Sequence, residues 1–223
     1  HRSTSAHLCS AYPFLAEAGL GPRGVYLGTN VPTGGGGFAS APWVWAGADN
    51  RNERGAANMV DYQKELRRKD ISLTHTIIQP TVDKRTDTQV LGNKVTIRKV
   101  GETADGIVVR GARMLATLPI SDEILIFPST VLQRSDDMKP YAMAFAIPND
   151  MPGLIFQCRE PLDSGRSHRD HPLGSRFDEM DAMVFFDDVL VPWERVFLMG
   201  DVELANGAYA GTGAVLHMAH QVV

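Results

Sequence analysis

Cysteine is scarce in this sequence. Cys9 and Cys158 are the only two in 223 residues, too few for a disulfide framework or a four-thiolate zinc or iron–sulfur site. Such usage points to a reducing compartment. Clustered basic charge is also missing. The formal net charge is -4, and the densest cationic stretch, Lys64 to Lys69, is broken by Glu65 and Leu66. A nucleic-acid partner therefore finds no electrostatic footing. No apolar run reaches the roughly 20 residues a membrane helix needs. No basic, hydrophobic, small-residue leader opens the chain at His1. The expectation is a cytoplasmic protein without a membrane partner.

Apolar material itself is ample. Hydrophobic residues are 43% and charged residues 22%, an ordinary globular balance that excludes a fully disordered chain. The 21 glycines and 13 prolines follow no collagen period. A start at His1 and an end at Val222-Val223, within an apolar stretch, lead us to expect a fragment of a longer protein.

Residues 1–54 give little periodic signal. Gly34 to Gly37, between Pro32 and Pro42, read as a flexible loop. The run lacks the Lys-Ser/Thr and the preceding strand of a phosphate-binding loop. Residues 55–70 read as a helix with Ala56, Met59, Val60, Gln63 and Leu66 on its less polar face. Arg67, Arg68 and Lys69 suit the carboxyl end of its dipole.

After Asp70 the period shortens to two. Ile71 to Gln79 alternates up to Pro80; Val95–Val100, Ile107–Arg110, Ala112–Thr117, Glu123–Phe127, Tyr141–Ile147, Leu154–Gln157 and Ala182–Val189 follow. Gly or Pro punctuates nearly every gap, and Asp105-Gly106 marks a turn. Strands at such spacing predict an antiparallel barrel or sandwich. From Val202 the composition returns to helix, weakened by Gly207, Gly211 and Gly213. The fold class is thus α+β, divided as a partial helical region over 1–70, a strand domain over 71–200 and the start of another helix over 201–223.

Three segments carry more specific information: Leu73-Thr-His-Thr-Ile-Ile-Gln-Pro80, Gly106-Ile-Val-Val-Arg-Gly-Ala-Arg-Met-Leu-Ala-Thr117, and the stretch from Ser175 to Phe197 containing Asp187-Asp-Val-Leu-Val-Pro-Trp-Glu-Arg-Val-Phe197. Together they resemble the oxygenase component of the two-component 4-hydroxyphenylacetate 3-monooxygenases, a family that also holds phenol and chlorophenol hydroxylases. The resemblance runs from about Trp43 to Val223 and is dense from Asp70 to Asp201. It implies an acyl-CoA dehydrogenase-like fold whose central antiparallel β-barrel is the strand series above, and whose helical bundle builds a homo-oligomer. It implies FAD as FADH2, supplied by a separate flavin reductase, with molecular oxygen as co-substrate. A C4a-hydroperoxyflavin then hydroxylates a phenolic substrate ortho to its hydroxyl, giving a catechol.

The resemblance also assigns roles. His75 would be catalytic and substrate-binding, accepting the phenol's hydrogen bond and drawing the ring toward phenolate. Read alone it would be a structural histidine on a half-buried strand. Thr117 would face flavin N5, and Thr81, Val82, Asp83 and Lys84 would form the turn bordering the flavin. Ser129 and Thr130 would meet the substrate's tail. No metal is expected: His217 with His220, and His168 with His171, lack a completing carboxylate set. Arg113 and Arg176 read as surface or interdomain ion pairs, and Asp178, Glu179 and Asp181 as turn and cap residues. The family's Gly-Arg-x-Pro-Asp-Tyr segment, whose Arg and Tyr hold the phenol, does not occur upstream of His75; Gly21-Pro-Arg-Gly-Val-Tyr26 has the wrong order and distance.

Two other readings stand beside this one. The related 4-hydroxybutyryl-CoA dehydratase branch needs an iron–sulfur cluster that two cysteines cannot hold. A non-catalytic barrel fragment or pseudoenzyme would bind no flavin and make no peroxide.

Overall fold

The structure, a computed structural model, describes residues 46–47, 49–69, 71, 73–80, 95–115, 119, 121–128, 132–163, 165, 167–176 and 181–211. Its elements are helix α1 (Glu53–Lys69), strands β1 (Leu73–Thr76), β2 (Arg98–Glu102), β3 (Gly106–Leu115), β4 (Glu123–Ile126), β5 (Met143–Pro148), β6 (Leu154–Cys158), β7 (Ala182–Pro192) and β8 (Val196–Met199), and helix α2 (Val202–Gly211). Short 3-10 turns lie at Asp136–Tyr141 and Trp193–Arg195.

The strands form two four-stranded sheets, ordered β1-β4-β5-β8 and β2-β3-β7-β6. Between them lies one core cluster, with Ile107, Val109 and Leu115 from β3, Val184 and Phe186 from β7, and Ile124, Ile126, Phe145 and Ile147 from the first sheet. Phe145 and Phe186 meet edge-on across it, with ring centroids 6.2 Å apart. The other face of the first sheet carries a second core, where Leu125, Ala144 and Ala146 meet Ala56, Met59, Tyr62 and Leu66 of α1. The layering is therefore helix, sheet, sheet. It explains why β4, Glu-Ile-Leu-Ile, is buried at every residue: a strand covered on both faces reads as a continuous apolar run rather than an alternation.

The expected α+β class and strand series hold, with specific differences. Among the described residues the sheets form a two-layer sandwich, not a continuous closed barrel, and β1 pairs with β4 in parallel, Leu73 opposite Glu123 and His75 opposite Leu125. Period-two patterning encodes which face is buried, not strand direction, so the parallel pair was not readable. The two predicted strands 107–110 and 112–117 are one bulged strand, β3, in which Gly111 takes φ 129°. Opposite it, β7 holds an extra residue: Val109 faces Val189 but Gly111 faces Phe186. Asp188 adopts φ 52° in that bulge, and its carboxylate pairs with Arg110. Gly111 itself tolerates no side chain, because a Cβ there would lie 2.5 Å from the Thr96 carbonyl oxygen.

Helix α1 docks through polar as well as apolar contacts. Asn58 donates to the carbonyls of Trp193 and Val196 at 2.7 and 2.9 Å, and Asn52 to that of Phe197 at 2.8 Å. Gly55 lets the backbones close in: a Cβ there would lie 2.1 Å from the Phe197 carbonyl oxygen. Tyr62, absent from the predicted helix face, is buried. Its hydroxyl donates to Glu123 at 2.7 Å, and Arg195 donates to the same oxygen at 2.8 Å. Burial, then the Glu123 charge, holds the Tyr62 phenol well above its usual ionisation range.

Candidate functional site

Strand β1 is the outer strand of its sheet, and it carries His75. Thr74 and Thr76 on either side are 1% and 2% exposed. His75 is partly buried, and its ring meets Phe127 edge-to-face with centroids 5.6 Å apart. Burial alone pulls the imidazole below its ordinary value of 6.5. The ring is therefore neutral at neutral pH, the state in which one nitrogen can accept a hydrogen bond.

Three contacts stitch the end of β1 to β3 of the other sheet. Thr76 Oγ1 donates to the Met114 carbonyl. The Met114 amide donates to the Ile78 carbonyl at 3.0 Å. Arg113 Nη1 donates to the Ile77 carbonyl. The last contact corrects the expectation for Arg113: it is 0% exposed rather than on the surface, and it forms no ion pair among the described residues. Burial pulls its guanidinium down to about 10. The signal was present in the strand's parity, since Ile107, Val109, Arg113 and Leu115 are all odd-numbered and all buried. Arg176, by contrast, is exposed.

Below this seam opens a groove of about 350 Å³ lined by Ile78, Met114, Leu115, Cys158, Ala182 and Met183, with Gln157, Arg159 and Asp181 also on its walls. Ile78 lies three residues beyond His75, about 10 Å along an extended chain. The groove's wall is largely apolar, with a few polar groups among it, the surface a flat aromatic heterocycle requires. The fit to a flavin ring is therefore chemically sound. Sequence reading missed Ile78, Met114 and Met183 as wall residues because each is a half-exposed apolar position in an otherwise ordinary strand pattern.

Of the catalytic, flavin-binding and substrate-binding residues expected from sequence, only His75 lies among the described residues. Thr81, Val82, Asp83, Lys84, Thr117, Ser129 and Thr130 lie outside the described residues, as do Asp178, Glu179, His217 and His220. Asp181 immediately precedes β7, and its carboxylate pairs with Arg159 at 3.5 Å. His168 Nδ1 lies 2.5 Å from Ser175 Oγ, within an exposed loop. Among the described residues no three His, Cys, Asp or Glu side chains converge as a metal site. No helix among them is long and apolar enough to cross a membrane.

Comparison with known proteins gives this arrangement its context. The chain is 54% identical over 169 residues to the 4-hydroxyphenylacetate 3-monooxygenase oxygenase component of Thermus thermophilus, covering 75% of this chain and 35% of that protein. It is 49% identical over 170 residues to the protein of the same name from a Geobacillus species, covering 75% and 34%. The chain thus spans about a third of the length of these curated relatives. Among solved structures, that of an oxygenase component of 4-hydroxyphenylacetate 3-monooxygenase complexed with FAD and 4-hydroxyphenylacetate superposes with a TM-score of 0.71 at 49% identity, over 83% of this chain and 38% of that one. The fold is thus acyl-CoA dehydrogenase-like. The family profile "4-hydroxyphenylacetate 3-hydroxylase N terminal" matches residues 37–198, and the chain belongs to the 4-hydroxyphenylacetate 3-hydroxylase family.

Proposed function

We propose that this chain is the strand-rich part of the oxygenase component of a two-component aromatic monooxygenase, which hydroxylates a phenol of the 4-hydroxyphenylacetate type ortho to its hydroxyl and yields a catechol. The observation that carries the reading is His75: a neutral imidazole on an outer strand, fixed against Phe127 and followed directly by a groove suited to a flavin.

Each residue has a defined task in this reading. His75 accepts the phenol's hydrogen bond and increases electron density at the ortho carbon. The groove walls Ile78, Met114 and Met183 exclude water from the ring they cover. Thr81, Val82, Asp83 and Lys84 border the flavin, and Thr117 donates near its N5. Ser129 and Thr130 receive the substrate's polar tail. Reduced FAD, delivered by a separate flavin reductase, supplies the means of passing one oxygen atom of molecular oxygen to the ring. The remaining expectations belong to the same proposal: division at about 70 and 200, a homo-oligomeric parent and a cytoplasmic setting.

The test combines flavin binding with product analysis. The protein is mixed with FADH2, oxygen and 4-hydroxyphenylacetate, and catechol and hydrogen peroxide are measured. His75→Ala is expected to lower catechol formation on the order of 100-fold or more, the scale of a lost acid–base partner, while flavin still binds. Unchanged catechol yield would remove His75 from this role. A second reading, a non-catalytic unit, is favoured by the lack of a Gly-Arg-x-Pro-Asp-Tyr segment upstream of His75. It predicts neither flavin binding nor peroxide from the chain itself.

A further inference from the structure

Arg113 poses a specific physical problem. Its side chain is 0% exposed, its one hydrogen bond runs from Nη1 to the Ile77 carbonyl, and Nε and Nη2 have no partner. Burying a charge with two idle donors destabilises a fold, and a well-packed apolar side chain of similar volume is commonly as good or better there. Stability of the sandwich therefore does not call for a cation at this position.

Location supplies what stability does not. Among the described residues, β1 is an outer strand whose one neighbour within its sheet is β4. Its far end is held by the second sheet through Thr76, Ile77 and Ile78, each bonded to residue 113 or 114. Two of these three bonds use groups close to the backbone: the Met114 amide and the short Thr76 hydroxyl. The third needs a long side chain that crosses between the sheets and presents a donor to a carbonyl. Ile77 is two residues from His75 and four from Thr81. We propose that Arg113 is a positioning residue: by holding the Ile77 carbonyl it sets the path of the chain leaving β1, and with it the orientation of the His75 ring against Phe127. The inference rests on the reading of His75 as the phenol's partner, and it adds to that reading a residue that never touches substrate.

The test uses the 223-residue chain with ring-labelled histidine and two variants, Arg113→Met and Arg113→Lys. NMR reads the contact between the His75 and Phe127 rings, and thermal melting is followed in parallel. Arg113→Met is expected to melt within about 5 °C of the parent yet lose the ring contact. Arg113→Lys, which still donates to a carbonyl, is expected to keep it. A folded Met variant with the ring contact intact overturns the proposal. So does loss of the contact, or of the fold, in the Lys variant. A Met variant that unfolds while the Lys variant folds assigns Arg113 to the framework and overturns it too. In the hydroxylation assay with FADH2 and 4-hydroxyphenylacetate, the Met variant should form catechol about ten- to a hundredfold less per FADH2 consumed, with Lys restoring most of it. The ring contact is read without flavin or phenol, so failure here is distinct from failure of the functional reading.

Discussion

A single imidazole shows how residue-scale physics sets chemistry. His75 is held below 6.5 by burial, so the folded state resists its protonation while the unfolded chain does not. With the folded value depressed, the unfolded state binds more protons as pH falls from 6.5 toward the folded value. The stability contribution is intact above 6.5 and is lost through that window. An NMR titration of His75 should give a midpoint below 6.5. Denaturant unfolding at stepped pH should show stability falling in the same window, with the slope reduced in His75→Gln. A midpoint at or above 6.5 would contradict the geometry. The position of His75 on a strand was legible from the alternation of Leu73 to Gln79. Its ring partner was not, because Phe127 lies 52 residues away and nothing local in either segment names the other. Arg113 was misjudged for a related reason: charge is a strong surface signal, and it outweighed a parity that placed the residue inside.

At the scale of elements, helix α1 meets β8 so closely that a rule reverses. Replacing a helical glycine by alanine ordinarily stabilises, by up to about 1 kcal/mol. At Gly55 the added Cβ would stand 2.1 Å from the Phe197 carbonyl oxygen, so the helix must back away from Asn52 and Asn58's acceptors. Gly55→Ala is expected to destabilise by about 1–3 kcal/mol, the range for overpacking, read as a lower denaturation midpoint; a gain in midpoint would show that the docking is loose. Much of the element order was readable: α1 differs from its predicted 55–70 only at the ends, and seven of the eight strands overlap predicted segments. The exception, β8, is four residues long and follows a 3-10 turn at Trp193–Arg195, so it offers no run of alternation to detect. β7 runs past its predicted end at Val189 to Pro192 and carries the Asp187-Asp188 bulge within it.

At the scale of the molecule, one sheet serves two cores. Leu125 belongs to the core under α1, and Ile124 to the core between the sheets. Truncating either to alanine should cost about 2–5 kcal/mol, and both should shift one cooperative transition, because neither core exists without the shared sheet. Calorimetry showing two transitions moved separately by the two variants would refute that coupling. The same arrangement bears on how such a protein can change over time. A sheet buried on both faces has only its perimeter left to vary, and His75 lies on that perimeter. Drift in the middle of β4 decides whether the chain folds; drift around the outer strand decides what the imidazole meets. New ligands can be tried at the margin of an unaltered interior.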